Sequence, residues 1–297
     1  MVDLAHRVHL TNGYRDDGSY PALVFNTTNR CNLSCRHCFV YRDDNPNEAQ
    51  SPRGEPSDDD LLDLLAALRD RQGIRTILWM GGEPLLRRSL LERGVKLFPR
   101  NHVVTNGTVP LVDLGPDSLY VVSVDGPPEV NDAIRGAGTF ERVMRNLDRV
   151  PAGFATPIQA QCTVTRSNQD HLDELVELLV GSRFEWMTFS FYVPPAEGET
   201  SDAWVDNSER MVAVERVMAL KERYPTFVRN RRRALELMAP DTAHSVTDAC
   251  PAKSVILPLY SEGDDYTTPF CCYGNDVDCS RCGAWIVFEL AAMLGMG

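Results

Sequence analysis

Three cysteines stand within eight residues in "CNLSCRHC", Cys31, Cys35 and Cys38, and no fourth thiol lies near them in sequence. A structural zinc site takes four protein ligands, usually as two separated pairs, so this C-x3-C-x2-C triplet is one ligand short. An open coordination position is the mark of a reactive metal. Thiolates this close on one loop can wrap one face of an iron–sulfur cube, each binding one iron. A structural zinc knuckle would present the same three thiols, and the triplet alone does not separate the two. A second concentration lies near the other end of the chain. "CCYGNDVDCSRC" carries Cys271, Cys272, Cys279 and Cys282, and "DACPAK" adds Cys250 upstream. That is five thiols for a site that takes at most four, with a zinc ribbon as the structural alternative. Cys162, alone in the middle of an apolar run, reads as a buried core thiol.

The elements that must position these groups alternate regularly. "ALVFNTT" (22–28) reads as a first strand leading into the triplet, and "RTILWM" (75–80) as a second running straight into "GGEP". Further strands are expected at 102–105, 119–124, 158–164 and 186–192. Between the first two, Ser57 or Asp58 can cap a helix through Gln72, with Leu61, Leu64, Leu65 and Leu68 on one face and Gly73 ending it. Helices are also expected around 85–96, 138–149 and 169–180, the last capped by Asn168. Six strands alternating with helices imply a parallel sheet with right-handed crossovers, an open or partial α/β barrel. In such sheets the active site lies at the C-terminal strand edges, where the triplet and "GGEP" both fall. After a polar loop past residue 192, helices are expected around 206–223 and 226–238. From about 241 the chain reads as irregular and cysteine-rich. The expected division is a barrel over 1–240 and a small appended domain over 241–297.

Composition bounds the function. The N-terminus has no apolar run fit for a signal peptide, and the longest apolar stretch, "GAWIVFELAAMLGMG", carries Glu289 and is too short to span a bilayer. A cytoplasmic location is therefore expected. There the nine cysteines stay reduced, so metal or catalytic use gains weight over a disulfide framework. The net charge of −12, from 42 acidic against 30 basic residues, argues against nucleic acid or an anionic membrane as partner and is compatible with a cationic ligand.

Cys31, Cys35 and Cys38 after a first strand, with Gly81-Gly82-Glu83-Pro84 after the second, resemble the radical S-adenosylmethionine (radical SAM) superfamily. The resemblance implies a partial (β/α)6 barrel over roughly residues 20–195. It implies a 4Fe–4S cluster on the three cysteines, whose unligated iron binds the amino and carboxylate groups of SAM. One electron from the cluster then cleaves SAM to a 5′-deoxyadenosyl radical that takes hydrogen from substrate. An electron donor such as flavodoxin or ferredoxin is the implied partner. In the family, "GGEP" contacts the SAM amino group, and glycines suit a backbone that a ligand approaches closely. His37 takes the place of the aromatic residue often found before the third cysteine. "TNG" (105–107) and "SVDG" (123–126) match common family stretches, which puts Ser123 and Asp125 near the SAM ribose; a strand-end turn would use the same residues.

By the same resemblance, the second cysteine group reads as an auxiliary 4Fe–4S cluster in a short, twitch-like extension. Two ligand sets are open. Cys250 could join Cys279, Cys282 and one of the adjacent pair, or Cys271, Cys272, Cys279 and Cys282 could bind the cluster and leave Cys250 a free thiol. A free thiol there can quench a substrate radical from the face opposite abstraction and so invert the carbon. The tail is similar to that of radical epimerases that invert an aminosugar carbon late in aminoglycoside biosynthesis. A polycationic aminoglycoside suits the acidic chain, and the loops 201–206, 261–266 and 274–278 are candidates to hold its ammonium groups. The alternatives are a radical SAM dehydrogenase, in which the auxiliary cluster accepts an electron, and peptide modification. The last is disfavoured because few residues precede the first strand for leader recognition.

Overall fold

The computed structural model describes residues 8–18, 20–42, 55–262 and 265–296. The first strands and helix form where the sequence places them. α1 (Asp58–Gln72) is capped by the Ser57 side chain, which accepts from the Asp60 N–H. Three aspartates in its first turn and Arg69 and Arg71 in its last complement the helix dipole. Gly73, at φ 69°, ends it in the left-handed region where glycine carries no penalty. Its four leucines are buried against the sheet.

Nine strands make one sheet: β1 (Val8–His9), β2 (Ala22–Asn26), β3 (Thr76–Met80), β4 (Arg100–Thr105), β5 (Ser118–Ser123), β6 (Ile158–Val164), β7 (Trp186–Phe191), β8 (Ile256–Glu262) and β9 (Asp265–Thr267). Their order is β1-β9-β8-β2-β3-β4-β5-β6-β7. The run from β8 to β7 is parallel throughout, and only β8 and β9 pair antiparallel. The outer strands do not pair with each other, so the barrel is partial, as expected. Parallel strands buried on both faces carry near-continuous apolar runs. Phe25, Trp79, Tyr120 and Phe189 are fully buried, and the Trp79 indole N–H is satisfied by Asn101 at 3.1 Å. The remaining helices are α2 (Arg88–Gly94), α3 (Pro128–Arg135), α4 (Thr139–Asp148), α5 (Leu172–Leu179), α6 (Asn207–Arg223), α7 (Arg232–Glu236), α8 (Pro240–Asp248), α9 (Ala252–Val255) and α10 (Trp285–Met293). Among the described residues, no helix is long and apolar enough to cross a membrane.

Three differences from the sequence reading matter for the site. The segment after 241 is not irregular: it holds α8 to α10, and its strand β8 lies beside β2 in the same sheet. Pro258, which argues against a strand, is tolerated because β8 pairs only with β2 at that point and meets β9 only from Tyr260 onward. α3 was not expected, although Pro128 at its start and Gly136 at its end are ordinary helix punctuation. Asn168 does not cap α5, because a 3-10 turn intervenes. Its side chain instead accepts from the Thr165 N–H at 2.7 Å and donates to the carbonyls of Asp125 and Thr163.

Candidate active site

The loops that follow β2 to β7 meet at the C-terminal edge of the sheet, as the topology requires. The cysteine loop leaves β2 and is pinned at once by "GGEP" at the end of β3. The Gly82 N–H donates to the Thr28 carbonyl and the Glu83 N–H to the Arg30 carbonyl, both at 2.8 Å. A Cβ on Gly82 would lie 2.0 Å from the Arg30 carbonyl oxygen and 2.5 Å from the Tyr41 hydroxyl. The glycine is thus required first by the chain entering the cysteine loop, a constraint beyond any ligand's approach. Pro84 opens a short 3-10 turn. Glu83 is fully buried. One carboxylate oxygen accepts from the Leu85 N–H at 3.0 Å and the Thr105 hydroxyl at 2.8 Å; the other accepts from the Asn106 N–H at 2.8 Å. Burial pushes its pKa up against these bonds. Glu83 therefore fastens the end of β3 to the end of β4.

Within the cysteine loop the sulfurs face donors. Cys31 Sγ accepts from the Leu33 N–H at 3.5 Å and the Asn106 amide at 3.9 Å, and the Arg135 guanidinium stands 4.0 Å from Cys35 Sγ. Burial raises all three thiols, Cys35 to about 11, with Arg135 opposing it. His37 and Asp125 meet each other: His37 Nε2 is 2.7 Å from Asp125 Oδ2, Arg135 Nε is 2.6 Å from the same oxygen, and the Thr163 N–H donates to Oδ1 at 2.8 Å. Burial pushes the Asp125 carboxyl up, and Arg135 and His37 together outweigh it, holding it well below the usual carboxylate range. Asp125 thus anchors the cysteine loop to β5, β6 and α3. Ser123, half-buried at the end of β5, pairs through its backbone register with Gln161 of β6. A second anchor is Arg36, which forks onto Asp202 at 2.8 and 3.0 Å.

The second cysteine group is also gathered into one place. Cys250 between α8 and α9, Cys271 and Cys272 after β9, Cys279 and Cys282 all line a single cavity of about 220 Å3. Cys250 lies within electrostatic range of each of the other four. Burial raises Cys272 and Cys282 to about 12. The Tyr14 hydroxyl, buried and without a partner among the described residues, belongs to the same cavity. The two groups abut: the Phe39 and Tyr273 rings, each next to a cysteine, have centroids 4.7 Å apart. Arg42, beyond Cys38, donates to the carbonyls of Val193 and Asp276 at 2.5 and 3.2 Å.

Among the described residues, no three Cys, His, Asp or Glu side chains converge on the position of a single ion. Thiols that each bind a different iron must stand further apart than that. Three thiols faced by N–H groups at the first place are a donor set that fits an iron–sulfur cluster; at the second, five thiols around one cavity could hold a metal centre.

Several carboxylates of the acidic loops have partners within the chain. Asp202 is spent on Arg36, Asp206 caps α6 through the Glu209 N–H, Asp276 accepts from the Ala196 N–H, and Asp278 holds Ser280 and Arg281. Asp265 faces His9, and Gly263 and Asp264 of the same expected loop lie outside the described residues. The sequence reading missed Arg36 and Arg135, whose partners are too distant in sequence for spacing to reveal, and Tyr14, which lines a cavity of cysteines far from it in sequence.

A family model described as the Radical SAM superfamily matches residues 25–179. The chain is 28% identical over 221 residues to an Fe-coproporphyrin III synthase of Methanosarcina barkeri, covering 68% of this chain and 53% of that protein. It is 32% identical over 167 residues to the mycofactocin maturase MftC of Mycolicibacterium smegmatis, 52% of this chain and 41% of the relative. The chain spans about half the length of these relatives. Among solved structures, native anSMEcpe with bound AdoMet superposes with a TM-score of 0.65 at 19% identity, over 89% of this chain and 77% of that one, a likeness of fold.

Proposed function

The chain belongs to the radical SAM superfamily, and on that premise we propose that it is an epimerase, of the neomycin C to B type, that inverts an aminosugar carbon of an aminoglycoside. When bound, two 4Fe–4S clusters and SAM would supply the one-electron chemistry: a 5′-deoxyadenosyl radical that takes hydrogen from the substrate, and an electron to restore the donor thiol. In this reading Cys31, Cys35 and Cys38 hold the first cluster. The backbone of Gly81 to Pro84 and the strand ends carrying Asn106 and Ser123 form the floor on which SAM lies. Cys271, Cys272, Cys279 and Cys282 hold the second. Cys250 delivers the hydrogen of its Sγ–H to the substrate carbon from the face opposite abstraction.

The observation that carries the reading is five thiols around one cavity, one more than a four-iron cluster takes. The cavity reaches Tyr273, whose ring touches Phe39 next to Cys38, so it adjoins the first cysteine loop. Asp248 on its wall, 3.3 Å from His244 Nε2, would be the carboxylate to meet an ammonium group. The reductant would be a flavodoxin or ferredoxin.

The test is turnover of an aminoglycoside panel in D2O with a chemical reductant. Epimerisation places one deuterium at the inverted carbon, because thiol hydrogens exchange with solvent. Cys250→Ala should still form 5′-deoxyadenosine but no inverted product; inversion and deuterium uptake that survive the substitution would sink the proposal. The second reading is a dehydrogenase with Cys250 as a cluster ligand, favoured by its position within range of all four other thiols. It predicts a product two hydrogens poorer and no deuterium.

A further inference from the structure

Arg210, on α6, is a buried cation without a carboxylate. The residue is 1% exposed. Its Nη1 donates to the carbonyls of Arg281 and Cys282 at 3.1 and 2.7 Å, and Nη2 to the Met238 carbonyl at 3.4 Å. Its Nε–H has no partner among the described residues, and the guanidinium lies 5.9 Å over the Phe288 ring. Arginine does not shed its proton inside a protein. Carbonyl dipoles can orient such a group, but they do not neutralise it, and an uncompensated buried charge is among the costliest features a fold can carry.

The same chain shows the ordinary solution at Arg135, which is also buried and is paired with Asp125. Arg210 has no such partner among the described residues. The side chain of Cys282, whose carbonyl it also holds, lies close enough for a charge on its sulfur to act on the guanidinium. A neutral thiol leaves this pocket with an excess positive charge; an anionic sulfur balances it.

We propose that Arg210 is the counter-charge and positioning residue of the second cysteine site: its N–H groups set the Cys279–Cys282 turn, and its charge balances the sulfur that Cys282 presents to a bound iron–sulfur cluster. This rests on the reading that the second cysteine group holds a cluster. A fixed cation beside a cluster favours its more negative, reduced form, so Arg210 raises that cluster's reduction potential.

The experiment uses the full chain with Cys31, Cys35 and Cys38 all changed to Ala, reconstituted anaerobically with iron and sulfide, so that only the second site is read. Iron per chain and visible absorbance establish whether it is loaded, and a redox titration gives its midpoint potential. Arg210→Gln, Arg210→Met and Arg210→Lys are then compared in that background, with circular dichroism to check folding. The expected result is a downward shift for Gln and Met and a potential near the parent's for Lys; iron lost in Gln and Met but retained in Lys supports the same conclusion. Should Gln not fold, Met, which removes the charge at similar length, decides the matter. An unchanged potential in Met with iron retained overturns the proposal, as does Lys behaving like Met. A parent chain that takes up no iron overturns instead the reading of a second cluster, and the proposal with it.

Discussion

The two cysteine groups solve the same ligand problem in opposite ways. The first is a loop of eight residues, clamped from several sides by Gly82, Asn106, Asp125 and Asp202, and its buried cation, Arg135, already has a carboxylate. The second is collected from three separate stretches between Cys250 and Cys282, around a cavity with an unpartnered tyrosine hydroxyl and a buried arginine that lacks a carboxylate among the described residues. The contrast teaches that the first site is held by contacts of the fold itself, whereas the second, on the reading proposed above, is balanced only by a bound cluster.

Removing ligands breaks the comparison most sharply. Cys31→Ala, Cys35→Ala or Cys38→Ala should each reduce 5′-deoxyadenosine formation to background, measured by chromatography. Cys282→Ala should leave that cleavage measurable while abolishing conversion of substrate. Equal loss in both would remove the distinction between a generating site and an assisting one.

The next largest effect is on stability. Asp125→Asn leaves Arg135 buried without its counter-ion and should cost about 3–5 kcal/mol in denaturant unfolding. Asp125 has its folded pKa depressed below the unfolded value of about 3.9, so its contribution is present above that pH and lost as pH falls toward the folded pKa. The gap between wild type and Asp125→Asn should accordingly narrow on going from pH 7 to pH 3. Arg210→Met in the iron-free protein should do the reverse of Asp125→Asn, leaving stability unchanged or improved, because it removes a charge that has nothing to balance it.

A smaller effect is expected at Gly82→Ala, about 1–3 kcal/mol, because the atom its Cβ meets is backbone that cannot swing away. A Cβ at Gly115 meets nothing within 4 Å, so Gly115→Ala, strained only by its φ of +83°, serves as the control. The smallest is the ring contact that joins the groups. A double-mutant cycle on Phe39 and Tyr273 should return about 0.5–1.5 kcal/mol of coupling. Zero coupling would mean that the two groups touch without supporting each other.

Much of the first site was legible in the chain. The six central strands announce themselves by apolar, β-branched runs, and α1 by its cap, leucine face and terminal glycine. The triplet and "GGEP" locate the chemistry because they follow strands. What was not legible depends on contacts between distant residues. That Thr105 and Asn106 both donate to Glu83 is invisible in the motif itself. Asp202 reads as a surface charge until Arg36 reaches it from 166 residues away. Pro258 masks β8 because a proline is harmless only where one side of a strand is unpaired, and pairing is not written in the strand itself.

That strand also sets an order of events. The pairing of Ala22 with Ile256 spans nearly the whole chain. At a synthesis rate of about 5–20 residues per second, β2 is made on the order of ten seconds or more before the strand that will cover it. Throughout that interval the edge formed by Leu23, Val24 and Phe25 is open to any other strand, the hazard that sheet proteins ordinarily hide. The newborn protein must therefore carry its first cysteine loop on an unsealed sheet until β8 has been made.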